Sequence, residues 1–523
     1  MKDLQQLSQA ELIQLLQKKE AQVSTLEEQL QWYKNQIQLQ QKALYGRSSE
    51  KTDNDAQLSL FDEAEVEASA IKTEPSVETV TYQRKKKNKK RNIDLSNLPV
   101  TRKVYELEAE EQSCPTCDAP LRKIGEEVRK ELVYHPAKYE VIEHVQYVYA
   151  CRKCEQEELQ TTVVKAKAPE AILPKSIASP SLLATIINDK YNKAIPLYRQ
   201  EISFKEQGLL LSRQTMANWM IKLYDIYFKK LVDYMHQCIL QMEYIAADET
   251  SVQVLREAGK AASSKSYMWV YKSGRSEAKQ MVVYQYEPSR RHEHAVSYLQ
   301  GYTGILQSDG YQAYDKIQGA EPMGCWAHAR RKFVEAVEVI PKTSDVKSSK
   351  SHYFLEMINT LFRIEKELEK EDYQGIYQQR QEKAKPVVEK YFTEIEEVLK
   401  YSIAKTPLHT ALQYSYHQKE KLQKYLEDGR IEISNNSCER AVKPFTIGRK
   451  NWLFMNSVQG ASSSGAIYSL LESAKANGLI PQRYMEYLLE RLPGLDLENK
   501  QVLEAVLPWS KEIPIELYMT KKS

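Results

Sequence analysis

From residue 12 to residue 44, seam positions recur at alternating steps of four and three: Leu12, Leu16, Lys19, Val23, Leu26, Leu30, Tyr33, Ile37, Gln40 and Leu44. Eight of the ten are apolar and no Gly or Pro interrupts them, so the segment reads as a coiled-coil seam that a second helix must cover. A helix packed on its own domain would show the same stripe. Between Ala178 and Asp225 three short helical patterns follow one another, broken near Ile195-Pro196 and Gln207-Gly208. Ser212 stands as N-cap to the third, which carries Arg213, Gln214, Asn218 and Lys222 on its polar side. That is the pattern of a helix-turn-helix with its last helix as reader, and also of ordinary helix pairs. The period then shortens. "YIAAD" (Tyr244 to Asp248), "SYMWVYKS" (Ser266 to Ser273), "QMVVYQYEP" (Gln280 to Pro288) and "GILQSD" (Gly304 to Asp309) are β-like runs. Residues 350–430 are Glu/Lys/Gln-rich and helical throughout, the chain beyond Ser462 is helical again, and the last dozen residues read as frayed.

Composition sharpens this picture in three places. The 523 residues argue for about three domains, and scarce glycine (17 residues) leans the whole towards helix. No run approaches the ~18 apolar residues of a membrane span and the N-terminus lacks an apolar signal core, so a soluble, cytoplasmic protein is expected. The net charge is only +3, yet charge is segregated. Residues 53–78 hold eight acidic side chains and one lysine, which reads as a linker, and Arg84 to Arg91 then puts seven positive charges into eight residues.

Two constellations carry chemistry. Cys114, Cys117, Cys151 and Cys154 form two Cys-x-x-Cys knuckles, the donor set of tetrahedral zinc, separated by 33 residues that alternate like strands. His135 and His144 between them are expected to be surface or core residues, and Cys238, Cys325 and Cys438 small buried hydrophobes. The second constellation is acidic: Asp248 and Asp309 close apolar strands, and Glu439 sits on a short helix that Pro444 ends. Two strand-end carboxylates and one helical carboxylate can hold two divalent cations for phosphoryl transfer. The same residues have plainer readings, the Asp residues as turn starters and Glu439 as the partner of Asn436 in a capping box. Glu249 and Asp315 rank below the three, Glu249 because strand alternation points it away.

The chain resembles a transposase of the IS66 family of bacterial insertion sequences almost end to end. The resemblance rests on "LYGRSSEK" (Leu44 to Lys51), the twin knuckles, "SPSLLATIINDKYNKAIPLYRQE" (Ser179 to Glu201), "LSRQTMANW" (Leu211 to Trp219) and "ADET" (Ala247 to Thr250). It continues through "SDGYQAYD" (Ser308 to Asp315), "CWAHARRKF" (Cys325 to Phe333), "NNSCERAVKPFTIGRKNWLF" (Asn435 to Phe454) and "ESAKANGL" (Glu472 to Leu479). It implies an RNase H-like catalytic core whose triad is Asp248, Asp309 and Glu439, binding two Mg²⁺ (or Mn²⁺) ions. It also implies a structural Zn²⁺ on the four cysteines and double-stranded DNA, transposon ends and target, as partner. The 129 residues between Asp309 and Glu439 would contain an all-α insertion. Arg440, Lys443, Arg449 and Lys450 after Glu439, and His328, Arg330 and Arg331 after Asp309, are candidate DNA contacts. Trp326 and Trp452 are read as core.

The fold class expected is therefore multidomain α+β: an RNase H-like α/β catalytic core with an all-α insertion, preceded by coiled coil, four-cysteine zinc domain and helix-turn-helix. The expected divisions are a dimerisation helix at 1–50, a linker at 51–92, the zinc domain at 93–168 and the helix-turn-helix domain at 169–240. The core follows at 241–455, with its insertion at about 340–430, and a C-terminal helical region at 456–523. The expected function is a nucleoid-associated DNA transposase that binds its terminal inverted repeats, cuts and transfers strands. It would act as a homodimer, with helper proteins of the same element as possible partners. The alternatives are a DNA-binding regulator with an idle core and a resolvase-type nuclease.

Overall fold

The computed structural model describes residues 139–150, 163–340, 345–368 and 372–519, with Lys19, Val23, Leu26 and Leu30 of the N-terminal segment. The knuckle cysteines, His135 and the basic run Arg84 to Arg91 lie outside the described residues. So does most of the heptad segment. Its four described positions are seam positions in helical backbone, and Val23, Leu26 and Leu30 are more than half exposed.

The chain is a mixed α+β, multidomain protein with two compact units, residues 72–169 forming one of them. In that unit β1 (Val148–Ala150) and β2 (Val163–Lys165) pair antiparallel, Tyr149 opposite Val164. Cys151 and Cys154 fall between these strands in sequence.

The other unit begins, after Glu170, with α1 (Pro180–Ile187), α2 (Leu197–Glu206), α3 (Arg213–Leu223) and α4 (Lys229–Ile239). The Ser212 hydroxyl accepts from Thr215 N and caps α3 as expected. Gly208, at φ +84, makes the turn before it.

A six-stranded sheet follows: β3 (Tyr244–Arg256), β4 (Lys265–Ser273), β5 (Val282–Glu287), β6 (Ile305–Gln307), β7 (Glu321–Met323) and β8 (Met455–Ser457). Its order is β5-β4-β3-β6-β7, antiparallel across the first three and parallel across the last three. β8 adds to the far end of β3. β3 runs well past Asp248, so that residue lies within a 13-residue strand rather than at its end.

The connecting helices are α5 (His292–Tyr298), α6 (Trp326–Glu338), α7 (Lys350–Glu367), α8 (Tyr373–Gln379), α9 (Lys385–Leu399), α10 (Pro407–His417) and α11 (Lys419–Gln423). α6, α7, α9, α10 and α11 enclose a second hydrophobic core, to which Tyr244 of β3 and Met323 of β7 also belong; in it Trp326 is fully buried and stands edge-on to Tyr391 at 5.2 Å. Fully buried Arg380 pairs with both Glu365 oxygens and donates to the carbonyls of Tyr425, Asp428 and Ile431. Those bonds satisfy the guanidinium and fix the loop that leads into α12 (Asn436–Trp452).

Three local expectations give way. Pro444 does not end its helix: α12 continues to Trp452 because Val442 and Phe445 are buried on either side of the proline, offsetting one lost backbone bond. The N-cap is Asn435, whose side chain makes no capping bond to the helix, and this puts Glu439 one position beyond the capping-box site. The C-terminus is docked rather than frayed as far as Met519. Ile480 N donates to Leu517 O, Met519 N donates to Gly478 O, and Leu517 is buried.

Last come α13 (Val458–Ala476), α14 (Pro481–Arg491) and α15 (Lys500–Val506). α13 lies along β5, where Ser473 Oγ accepts from Val282 N and Ser469 Oγ from Tyr284 N.

Candidate metal and nucleic-acid site

Parallel pairing places Ala246 of β3 beside Gln307 of β6. Two residues further along each strand direction stand Asp248 and Asp309, at the same level and on the same parity. Asp309 has left its strand. Its Oδ1 accepts from Tyr311 N at 2.9 Å, and the next residue, Gly310, turns at φ +88. The start of α12 is fastened to the same place. Asn435 Nδ2 donates to Ala247 O at 3.0 Å, Asn435 N donates to Cys325 Sγ at 3.1 Å, and Cys438 Sγ lies 3.6 Å from Ala246 O. One turn on, Glu439 is buried, 4% exposed. Its Oε1 is 3.5 Å from His328 Nδ1 and its Oε2 is 3.7 Å from Arg331 Nη2, both from α6.

Asp248 feels the charge of both other acids. Burial, and then the negative charges of Glu249, Glu439 and Asp309, push the Asp248 carboxyl well above the usual carboxylate range. Carboxylates that raise one another in this way are a hard, oxygen-only donor set whose repulsion a divalent cation would relieve, so the residue types suit such an ion. Cys325 Sγ, His328 and Glu439 also bring ligand atoms within 4.8 Å of one another. Burial and the Glu439 charge raise the Cys325 thiol to about 12, so it is protonated at neutral pH. Burial and the neighbouring Arg331 lower His328 to about 4, which leaves a neutral imidazole beside Glu439.

Glu249 faces away, as alternation requires, with its side chain only 2% exposed. It accepts from Arg290 Nε at 2.6 Å and Tyr314 Oη at 2.7 Å. Burial raises its carboxyl and these two partners oppose the rise. Asp315 pairs with Lys421 at 2.6 Å instead.

The candidate DNA contacts divide by environment. Arg213, Gln214, Asn218 and Lys222 are all exposed on α3, while Met216, Trp219, Met220 and Leu223 face the core. Arg213 lies over the Tyr198 ring of α2, 5.5 Å from its centroid. Arg440 and Lys450 are exposed on α12 and Lys443 is half-buried. Arg449 donates to Thr250 Oγ1 at 3.0 Å and to Ser251 O, tying α12 to β3. Arg330 is buried and donates to Asn359 Oδ1 at 2.7 Å, joining α6 to α7.

Sequence reasoning did not single out Asn435, Tyr414 or Arg290. Asn435 lay in plain view in "NNSCER" beside Glu439, but its bond to Ala247 spans 188 residues. No local period carries such a contact.

A group of partly buried carboxylates whose residue types suit divalent cations, in a multidomain chain with a helix-turn-helix-like region, points to a class of DNA-acting protein. The chain belongs to the IS66 family of transposases. The model for "Transposase IS66 family" matches residues 175–463, more than half its length. "Zinc-finger binding domain of transposase IS66" matches 111–155, a span holding all four knuckle cysteines. "Transposase C of IS166 homeodomain" matches 32–102 and "IS66 C-terminal element" 469–509. Among similar proteins, uncharacterized protein y4qI of Sinorhizobium fredii (strain NBRC 101917 / NGR234) is 31% identical over 91% of this chain and 88% of its own. Uncharacterized protein y4jD of the same strain is 28% identical over 80% and 82%. Family membership gives the chain a transposase role with DNA as partner and a zinc-finger domain that supports structural zinc. Among the described residues no helix is long and apolar enough to cross a membrane.

Proposed function

We propose that the protein binds the terminal inverted repeats of its insertion sequence, hydrolyses a phosphodiester at each tip and transfers the freed strand to target DNA. The observation that supports this reading is that Asp248 and Asp309 stand level along neighbouring parallel strands, with the helix that bears Glu439 fastened beside them and the charges of both other acids raising Asp248. The strand order β5-β4-β3-β6-β7, with its antiparallel and parallel halves, supports an RNase H-like core. The second hydrophobic core, built mostly from α6, α7, α9, α10 and α11, supports an all-α insertion at about 340–430 within a 241–455 catalytic domain. The other divisions are those drawn from the sequence.

Asp248, Asp309 and Glu439 would hold two divalent cations, Mg²⁺ or Mn²⁺, which supply Lewis acidity to the attacking and leaving oxygens. Water attacks the phosphorus at the element's tip and the 3′ oxygen departs as a hydroxyl. That hydroxyl then attacks a phosphodiester of the target, forming a new P–O bond while the target strand's own 3′ oxygen leaves and takes up the proton. Arg331, beside Glu439, neutralises a phosphate at the rim of the cluster. Neutral His328 lines the side of Glu439, its Nδ1 3.5 Å from Oε1. The exposed polar face of α3 reads the repeats, and Arg440, Lys443 and Lys450 hold backbone phosphates. The exposed seam at Val23, Leu26 and Leu30 supports pairing of two protomers, which suits an enzyme that gathers two DNA ends. A cytoplasmic, nucleoid-associated setting, with helper proteins of the element, completes the reading.

The test is incubation of purified protein with Mg²⁺ and duplexes carrying the inverted repeats that flank its coding sequence, beside Asp309→Asn. Nicks at the repeat tips and joined products, both lost in the variant, are the expected result. Sequence-specific binding without cleavage by either protein, with the element's other products added, would leave a DNA-binding regulator.

A further inference from the structure

At the C-terminal end of α12 the backbone adopts a conformation that leucine rarely takes. Leu453 has φ 65° and ψ −51°, and Phe454 N donates to Trp452 O at 2.8 Å, closing a three-residue γ-turn of the strained, positive-φ kind. No glycine relieves it. The turn drives successive side chains apart. Trp452 points inward, edge-on to Phe445 at 5.5 Å, whereas Leu453 and Phe454 are 65% and 45% exposed. Ile447, on the preceding helical turns, is 51% exposed. Strain kept to display two large apolar side chains in water points to a contact made by those side chains.

Charge says what covers them. Residues 440–471 contain no Asp or Glu, while Arg440, Lys443, Arg449 and Lys450 all lie in this stretch. Arg256, exposed at the far end of β3, stands in register with Ser457 of β8 just beyond the turn. A protein surface would bring its own mixed charges. A polyanion with an apolar interior, duplex DNA, matches both features at once.

We propose that Leu453 and Phe454 form a wedge that inserts into the base stack of duplex DNA, held there by phosphate contacts from the surrounding cations. This rests on the reading of Glu439 as part of a DNA-cutting centre, because the wedge and that residue share one helix. They are 14 residues apart, which at 1.5 Å per residue is about 21 Å, or about six base steps. The wedge therefore acts no more than about six base pairs from the scissile phosphate, distorting the end as it is engaged.

Full-length protein would be mixed with inverted-repeat duplexes carrying 2-aminopurine at successive positions near the tip, a base whose fluorescence rises when it is unstacked. The expected result is a rise confined to one or two neighbouring positions. It should be lost in Leu453→Gly and in Phe454→Ala, with affinity falling roughly 10-fold for loss of one stacked contact. Leu453→Gly relieves the φ strain, so its thermal unfolding should be no lower than the parent's and misfolding cannot explain the loss. A duplex with an abasic site at the reporting position should restore the variants' binding. Asp248→Asn should unstack the base yet not cut, and a rise in wild type without any cutting would sink the catalytic reading alone. Cutting with flat fluorescence at every position would overturn the wedge alone. A shift from dimer to monomer in the variants with unstacking retained would assign the surface to a second copy and overturn it too. Absence of any DNA binding would overturn both.

Discussion

The Tyr414 hydroxyl donates a 3.0 Å hydrogen bond to the main-chain carbonyl of Asp309, across 105 residues of sequence. Tyr414 belongs to α10 of the helical block, so that block touches the peptide bearing one of the cluster's acids. The same contact limits the space at Gly310, where an added Cβ would meet the Tyr414 hydroxyl at 3.1 Å.

Tyr414→Phe should keep the ring in place and remove only this bond. A stability loss of about 1 kcal/mol is expected. Tip cleavage should need more Mg²⁺ for half-maximal rate, because Asp309 is held less firmly. A Mg²⁺ titration of the cleavage rate checks this. An unchanged midpoint would show that the helical block does not position Asp309.

The repulsion around Asp248 should be visible in stability. In chelator, Asp248→Asn is expected to unfold at a higher temperature than the parent, since it removes a desolvated carboxyl that the charges of Glu249, Glu439 and Asp309 repel. Millimolar Mg²⁺ should raise the parent's melting temperature and leave the variant's nearly unmoved. Scanning calorimetry with and without the cation distinguishes the two, and equal Mg²⁺ shifts in both would argue against a cation at Asp248.

Arg290→Ala should destabilise through Glu249, which is left buried with Tyr314 as its remaining partner. A fully buried pair would lose about 3–5 kcal/mol, but Arg290 is itself 43% exposed, so about 2 kcal/mol is expected. Urea unfolding measures it. Adding Glu249→Gln in the same chain should recover part of the loss.

Glu472, buried on α13, has its carboxyl raised by burial, with Lys475 opposing at 2.6 Å. The folded chain thus binds this proton more tightly than the unfolded chain does. Stability is highest below the ordinary Glu range and falls as pH rises through the raised value. Glu472→Gln should therefore unfold at a higher temperature than the parent at pH 8. The gap should close near about pH 4, where Glu is protonated in both states. A gap that widens towards acid would show the Lys475 pairing to dominate instead.

Legibility from sequence followed the range of the interactions. The Ser212 cap, the polar face of α3 and the alternating runs of β3 to β6 are local, and the chain spells them out. β7 and β8 have three residues each and exist only through pairing with β6 and β3, so no period announces them. Pro444 is the opposite case, a strong local stop overruled by the burial of Val442 and Phe445. At the site, Asp248, Asp309 and Glu439 could be named as acids in suggestive places. What brings them together is not local. Asn435 on Ala247 and Tyr414 on Asp309 bridge 188 and 105 residues.

The serines of α13 have a wider effect than two hydrogen bonds. β5 is the outer strand of the sheet, and Ser469 and Ser473 occupy the N–H groups that an incoming chain would need. At the opposite margin β7 offers only three residues. Assembly on closely spaced DNA ends would raise the local concentration of this protein far above its average. An open strand margin would then invite copies to fuse into fibres, and the hydroxyls on α13 close that route.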